Sequence, residues 1–230
     1  MMKKSAKDII INTLREKSVT KQIVYDNTLE AFNILKKVLK EISIEYNKEL
    51  KDTDSRVTLE YKDRGAFEAE IKVAGDILIF NMHSNVFEFD KESGVWKISY
   101  INENKLASYS GIINIYNFLS DSFKYNRLDD LGYLIGRIFI NKEKHYFVEG
   151  KRQLGFLYND FGNSIIDKTA IKNIIESAIM YSLEFDLLVP NYDNIKFVSV
   201  AQMKERINKS KIKTGKRLGF QFEKDDDDVQ

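Results

Sequence analysis

The chain has 230 residues, of which 43% are hydrophobic and 31% charged, and its 36 basic and 35 acidic residues give a formal net charge of +1. This composition is typical of a globular protein and excludes an intrinsically disordered chain. The near-zero charge is not that of a protein covered in basic residues for nucleic acid or membrane surfaces. Because there is no cysteine, disulfides, thiolate catalysis and cysteine-ligated metal centres are also excluded.

The first residues contain only a short apolar run. Three isoleucines occupy residues 9–11 and are followed by Asn12 and Thr13. A secretory signal needs an apolar stretch of about seven residues, and a membrane span needs about twenty. We therefore expect a cytoplasmic protein with no membrane partner.

The first half of the chain predicts two helices and then a run of strands. Ser5 and Asp8 have the spacing of a capping box, so a short helix is expected to about residue 17. A long helix is predicted over residues 20–48, where apolar residues recur every three or four positions. The period then changes to two, which is typical of half-buried strands joined as an antiparallel meander. The strand candidates are residues 57–61, 67–73, 77–80, 86–89 and 95–100.

The second half alternates helices with a smaller group of strands. Residues 106–123 form a dense apolar run, which we interpret as a buried helix. A further helix is predicted over residues 168–188, with Asp167 as its N-cap and Pro190 just past its end. The remaining strand candidates are residues 133–140, 144–149, 152–158 and 195–200.

These elements predict an α+β fold in which antiparallel β meanders pack against three main helices, at residues 20–48, 106–123 and 168–188. No Pro-, Gly- or Ser-rich linker divides the chain, so residues 1–203 are expected to form a single domain. Residues 204–230 are first basic and then acidic, which is typical of a solvated, flexible C-terminal tail.

Acidic residues on one predicted strand suggest a metal site. Glu68 and Glu70, with Lys72 beside them and Asp76 downstream, are the residue types of a metal-dependent nuclease. The same alternation also places Glu68, Glu70 and Lys72 on the solvated face of a sheet, and we favour that interpretation. A metal-dependent nuclease or other hydrolase is kept as an alternative, with Glu68, Glu70 and Asp76 as its weak candidate ligands.

A short internal similarity suggests nucleic acid as a partner. Residues 150–156 (GKRQLGF) and 215–220 (GKRLGF) both place a Lys-Arg pair between a glycine and a Leu-Gly-Phe. Such turns can contact phosphates, with the phenylalanine available for stacking, although surface turns of ordinary composition are the interpretation we favour. The candidate nucleic-acid-binding residues are Arg137, Lys151, Arg152, Lys216 and Arg217.

The usual catalytic and cofactor patterns are missing from the sequence. There is no phosphate-binding glycine loop, and neither His83 nor His145 lies in a triad or metal-ligand spacing. We therefore predict no cofactor, no metal and no catalytic residue. Aromatic residues on the predicted strands, such as Phe87 and Trp96, either pack the sheet against a helix or line a ligand cleft or partner groove.

The function predicted from the sequence is that of a non-enzymatic cytoplasmic macromolecule-binding protein, an adaptor or interaction protein. Its expected partner is another protein. The alternative is a nucleic-acid or ribosome-associated protein that uses its Lys/Arg turns to contact RNA or DNA. A homodimer is also compatible with the sequence.

Overall fold

The protein has an α+β fold built on one antiparallel sheet, as a computed structural model describes it for residues 5–185, 192–197 and 199–201. The strands are hydrogen-bonded in the order β1-β2-β3-β5-β6-β7, and the short β4 pairs with the start of β5. These strands are β1 (Leu59–Asp63), β2 (Glu68–Val73), β3 (Asp76–Met82), β4 (Phe87–Glu88), β5 (Tyr109–Leu119), β6 (Tyr133–Asn141) and β7 (Tyr146–Gly150). The predicted fold class, with antiparallel meanders and packed helices, is confirmed.

Two long helices dominate the helical layer. They are α2 (Val19–Glu49) and α6 (Lys168–Leu183), which pack against each other and against the same face of the sheet. The shorter helices are α1 (Ala6–Thr13), α3 (Ser99–Glu103), α4 (Ser120–Lys124), α5 (Gln153–Leu157) and α7 (Tyr192–Ile195). A π-helical turn (Leu14–Ser18) joins α1 to α2. Among the described residues, no helix combines the length and the apolar character that a bilayer-spanning segment requires.

Local capping explains where the predicted helices begin. The Ser5 hydroxyl accepts a hydrogen bond from the Asp8 N–H at 3.2 Å, and the Asp8 carboxylate accepts one from the Ser5 N–H at 3.3 Å. The Asp167 carboxylate accepts a hydrogen bond from the Ala170 N–H at 2.7 Å and so begins α6. Both start signals predicted from the sequence are confirmed, because each satisfies a backbone N–H that the helix leaves unpaired.

The main core lies between the sheet and the α2–α6 pair. Alternate residues of β2, β3, β5, β6 and β7 point toward the helices and are almost fully buried, as the period-two pattern predicts. The largest of these buried side chains include Phe32, Leu35 and Leu39 of α2 and Leu78 and Phe80 of β3.

Four predicted elements differ from the structure. Residues 106–123 are not a helix, because residues 109–119 form β5, an interior strand of the sheet. Residues 95–100 lie in a 3-10 turn and the start of α3, and residues 153–157 form α5 instead of a strand. The described part of residues 195–200 contains no strand. The last main helix ends at Leu183, with Glu184 as its C-cap, and not at residue 188 as predicted. Pro190 and residues 204–230 lie outside the described residues.

Candidate functional site

The face of the sheet opposite α2 and α6 carries a different set of side chains. Along β5, Gly111 faces α2 so closely that an added Cβ would lie 2.0 Å from the Thr28 Oγ1. Because side chains alternate along a strand, Ser110, Asn114 and Tyr116 point to the other face. The fold therefore turns a polar side of its longest strand away from the helices.

The strand register extends this polar character across the sheet. Asn114 of β5 lies opposite Asn81 of β3 on one side and Arg137 of β6 on the other. Asn81 in turn lies opposite Glu68 of β2, and Arg137 lies opposite Glu149 of β7. Because paired positions share a face, these five side chains form one row across five strands.

Two non-sheet segments cover the ends of this face. At one end, the chain between β4 and β5 packs Phe89, Trp96 and Tyr100 around the buried Ile101 and Phe161. The Trp96 Nε1 donates hydrogen bonds to the backbone oxygens of Asp90, at 2.8 Å, and Phe89, at 3.3 Å, which closes the loop. We call residues 87–108, which comprise β4 and the chain between β4 and β5, the cover segment.

Phe123 of α4 covers the opposite end of the face. Its ring packs on Phe118 of β5 with ring centroids 5.3 Å apart, and the Arg64 guanidinium lies 5.2 Å from the Phe123 centroid. Within the described residues, no helix covers the middle of the face.

A cleft of about 710 Å³ lies on the sheet beside the cover segment. This volume falls within the range of about 300–1,000 Å³ that is usual for ligand sites. Its lining combines residues of β5, β6 and β7 with the cover segment and His83: His83, Phe87, Glu88, Phe89, Asp90, Ser93, Val95, Ser110, Ile112, Asn114, Tyr116, Leu134, Arg137, Phe139, Phe147 and Glu149. We call this space the sheet cleft.

Several polar groups in the sheet cleft have no hydrogen-bond partner among the described residues. Ser110 is only 1% exposed, and its Oγ is buried without a partner. A buried hydroxyl without a partner costs about 1–3 kcal/mol relative to a bonded one, so it favours a ligand that supplies a donor or acceptor. The side chains of Asn114 and Tyr116, on the same face of β5, also make no hydrogen bond within this part of the chain.

His83 lies at the rim of the sheet cleft with a defined tautomer. Its Nδ1 accepts a hydrogen bond from the Asn85 N–H at 3.0 Å, so the neutral ring carries its proton on Nε2. The ring packs edge-on against Phe87 with centroids 4.7 Å apart. His83 therefore offers a donor beside an aromatic surface.

Carboxylates outnumber cations in the sheet cleft. Glu88, Asp90 and Glu149 contribute three negative charges and Arg137 one positive charge, which gives a formal charge of −2 with His83 neutral. The Arg137 Nε donates to the Glu149 Oε2 at 2.7 Å, so its charge is compensated within the lining. The sheet cleft is thus complementary to a ligand that carries positive charge.

A hydrogen-bond network around the buried Asn141 joins the cover segment to the hairpin between β6 and β7. The Asn141 Nδ2 donates to the Tyr100 hydroxyl at 3.0 Å, and that hydroxyl donates to the Glu143 carboxylate at 2.5 Å. Burial, followed by the hydrogen bond to Glu143, raises the pKa of Tyr100. The His145 ring stacks on Tyr100 with centroids 4.8 Å apart, so this histidine has a packing role.

The described members of the predicted nucleic-acid set, Arg137, Lys151 and Arg152, lie in different layers of the fold. Arg137 is in the sheet cleft, paired with Glu149. Arg152 follows β7 and contacts α6, where its Nη1 lies 3.2 Å from the Glu184 Oε2 and its guanidinium 5.8 Å from the Tyr181 ring centroid. Lys151 is exposed beside it, and Lys216 and Arg217 lie outside the described residues.

The predicted metal ligands are not gathered at one point. Arg64 pairs with Glu70 and lies 3.7 Å from Glu68, so an arginine holds both carboxylates. Asp76 is at the opposite end of β3, since it faces Val73 whereas Glu68 faces Asn81. No group of three His, Asp or Glu side chains that could hold a metal ion occurs in the described residues.

A second groove, of about 780 Å³, lies between α2, α6 and the β1–β2 corner. Four of its polar side chains bond to one another in pairs, because the Tyr46 hydroxyl donates to Glu176 and the Tyr158 hydroxyl lies 2.9 Å from the Ser177 Oγ. Its remaining lining is largely apolar and includes Val57, which is 43% exposed. It therefore offers fewer groups that would recognise a ligand than the sheet cleft does.

The raised pKa of Tyr46, which lines the second groove, predicts a loss of stability at alkaline pH. Burial, and then the hydrogen bond to Glu176, raises the pKa of Tyr46 from 10.0 to about 12. Between these pH values the folded state holds a proton that the unfolded state has released, so the free energy of unfolding falls as the pH rises. Denaturant titrations at pH 9 and pH 11 give the free energy of unfolding at each pH. The difference between the two values should be smaller for Tyr46→Phe than for the wild type. A Tyr125→Phe variant, changed at an exposed ring, should behave as the wild type does.

No family model, curated protein or solved structure matches this chain. The site therefore has to be interpreted from its own geometry. Sequence reasoning named Arg137, His83 and Phe87 but missed Ser110 and Asn114. The signal for them was present, because polar residues recur at 110 and 114 within the apolar run that was assigned to a helix.

Proposed function

We propose that the chain is a non-enzymatic, cytoplasmic protein-binding module that holds an extended, basic peptide segment of a partner protein in the sheet cleft. The observation that carries the proposal is the row of unpartnered polar side chains along β5, with the buried Ser110 hydroxyl among them.

The length and period of this row support an extended chain. From Ser110 to Tyr116, β5 advances by about 20 Å, and side chains on one face recur about every 6.8 Å. An extended peptide has the same two-residue repeat. Its backbone groups can therefore meet Ser110 and Asn114 in succession, since an amide side chain both donates to and accepts from a peptide unit.

The charge and the apolar surface of the sheet cleft support a basic segment. The formal charge of −2 attracts Lys or Arg side chains and repels the phosphates of a nucleic acid. Phe87, which is 39% exposed, and Leu134, which is 42% exposed, offer apolar area to the aliphatic stems of such side chains. For this reason we place the nucleic-acid alternative behind peptide binding. The hydrolase alternative is placed behind it because Arg64 pairs with the candidate carboxylates Glu68 and Glu70.

The test uses three fluorescein-labelled probes: an unstructured peptide alternating Lys with Tyr, its counterpart alternating Glu with Tyr, and a single-stranded oligothymidylate. Fluorescence anisotropy should show the basic peptide binding at least about tenfold more tightly than the acidic one, with an affinity that falls as salt is added. Equal binding of the two peptides, or tighter binding of the oligonucleotide, would contradict the proposal.

A matched pair of variants ties the binding to the sheet cleft. Glu149 and Glu184 are 57% and 58% exposed at their side chains, and each pairs with one arginine, Arg137 or Arg152. Glu149→Gln should weaken the basic peptide by about tenfold, because it removes one of three carboxylates from the lining. Glu184→Gln makes the same chemical change outside the lining and should leave the affinity unchanged. If the two variants behave alike, the peptide binds elsewhere.

A further inference from the structure

The N-terminal helix exposes aliphatic side chains that the fold does not use. Ile10 is 59% exposed, Leu14 is 55%, Val19 is 50% and Ile23 is 43%. No residue of α1 or of the π-helical turn is buried. Exposed aliphatic residues grouped along one helix are typical of an interface, whereas single ones scattered over a surface are ordinary. We call these four residues the aliphatic stripe.

The π-helical turn keeps the aliphatic stripe continuous. The Val19 N–H donates to the Leu14 carbonyl, five residues earlier, which is the hydrogen bond that defines a π turn. In a regular α-helix, residues five positions apart lie on different faces. The wider π turn contains more residues, so it brings Val19 back toward the face of the helix that carries Leu14. The steps from Ile10 to Leu14 and from Val19 to Ile23 are four residues each, close to one α-helical turn.

The aliphatic stripe has a two-fold symmetric spacing. Its four residues are separated by steps of four, five and four positions, and this series is the same when it is read from either end. The midpoint of the series lies inside the π-helical turn. Two copies placed antiparallel about that midpoint would therefore match Ile10 with Ile23 and Leu14 with Val19. Self-complementarity of this kind is the requirement for an isologous dimer interface.

The charges beside the aliphatic stripe have the same symmetry. The antiparallel arrangement that matches the apolar residues also places Lys7 opposite Asp26 and Glu16 opposite Lys17, and each of these pairs joins opposite charges. All four residues are exposed, and Lys7, Asp26 and Glu16 form no ion pair within the described chain. A parallel arrangement would bring like residues together instead.

We propose that the aliphatic stripe is a homodimer interface, in which the α1–α2 helices of two copies pair antiparallel about the π-helical turn. The occupant of this face is a second copy of the chain because both the spacing and the charges are self-complementary. The sheet cleft lies on the face of the sheet opposite α2, so we expect dimerisation to be independent of peptide binding.

The first test is the mass in solution of the full chain. Analytical ultracentrifugation at about 100 µM should give a dimer for the wild type and a monomer for Ile10→Asp, whose dissociation constant we expect to rise by about 100-fold or more. Ile44→Asp is the matched control, because Ile44 is also a helical isoleucine, 51% exposed, but lies outside the aliphatic stripe. A monomeric wild type overturns the proposal, as does an equal effect of the two variants.

The second test checks the antiparallel register. Asp26→Lys places lysine opposite Lys7 and should weaken the dimer, and adding Lys7→Glu to the same chain should restore it, since every contact between the copies again joins opposite charges. Failure of the double variant to recover would overturn the register proposed here. Peptide binding should be unchanged in Ile10→Asp, so a failure of dimerisation is distinguishable from a failure of the sheet cleft.

Discussion

Replacing Gly111 with alanine is expected to lower the free energy of unfolding by about 3 kcal/mol or more. An alanine Cβ at this position would lie 2.0 Å from the Thr28 Oγ1, 2.8 Å from its Cβ and 2.9 Å from its Cγ2. Thr28 cannot turn aside easily, because it is fully buried and its hydroxyl donates to the Val24 carbonyl at 2.7 Å. The added methyl group therefore has to push α2 away from β5.

A second substitution at Thr28 shows whether this contact is the cause. Thr28→Ala removes the atoms that would lie at 2.0 and 2.9 Å but keeps the Cβ at 2.8 Å, so Gly111→Ala in that background should recover only part of the loss. Gly94→Ala is the control, because its added Cβ meets no atom within 4 Å, and we expect a change within about 0.5 kcal/mol. Urea denaturation of the wild type and these four variants measures these differences. Additive effects of the Gly111 and Thr28 substitutions would show that the clash is not the source.

The same strand shows why the sequence predicted part of the fold correctly and part wrongly. The 20–48 helix has one buried side, and polar residues alternate with apolar ones along β1 and β2, so the apolar residues of these elements recur with a clear period. Residues 109–119 are different, because α2 covers one face of β5 and the cover segment covers part of the other. A strand that is covered on both faces has a nearly continuous apolar run, and periodicity cannot distinguish that run from a buried helix.

The types of the residues in this run indicate a strand, although the spacing of its apolar residues does not. Ile112, Ile113 and Ile115 are β-branched, and Tyr116 and Phe118 are aromatic, which together favour a strand. Given that assignment, alternation alone would have placed Asn114 and Tyr116 on one face. What the sequence cannot supply is the register, and only the register sets Asn114 beside Arg137 and Asn81. The sheet cleft also depends on how residues 87–108 fold back, which no local pattern determines.

The second large effect on stability is expected at Asn141, whose side chain attaches the cover segment to the β6–β7 hairpin. Asn141 is fully buried, and its side chain makes four hydrogen bonds. Its Nδ2 donates to the Tyr100 hydroxyl at 3.0 Å and to the Ala107 carbonyl at 3.3 Å, and its Oδ1 accepts from the backbone N–H groups of Glu143, at 2.9 Å, and His145, at 3.0 Å. One amide thus closes the β6–β7 hairpin and attaches the cover segment to it.

Asn141→Ala is expected to lower the free energy of unfolding by about 2–4 kcal/mol, because it removes a fully buried amide and leaves backbone groups at three positions without their partner. Asn163→Ala is the control, since Asn163 is exposed and, among the residues that the structure describes, its amide bonds only to Asp160, at 3.0 and 3.2 Å. Urea denaturation measures both. The cover segment is a wall of the sheet cleft. In the absence of urea, where the variant is folded, the basic peptide should therefore bind Asn141→Ala more weakly than it binds the wild type. A variant as stable as Asn163→Ala would show that the aromatic packing of Phe89, Tyr100 and Phe161 holds the cover segment without the amide.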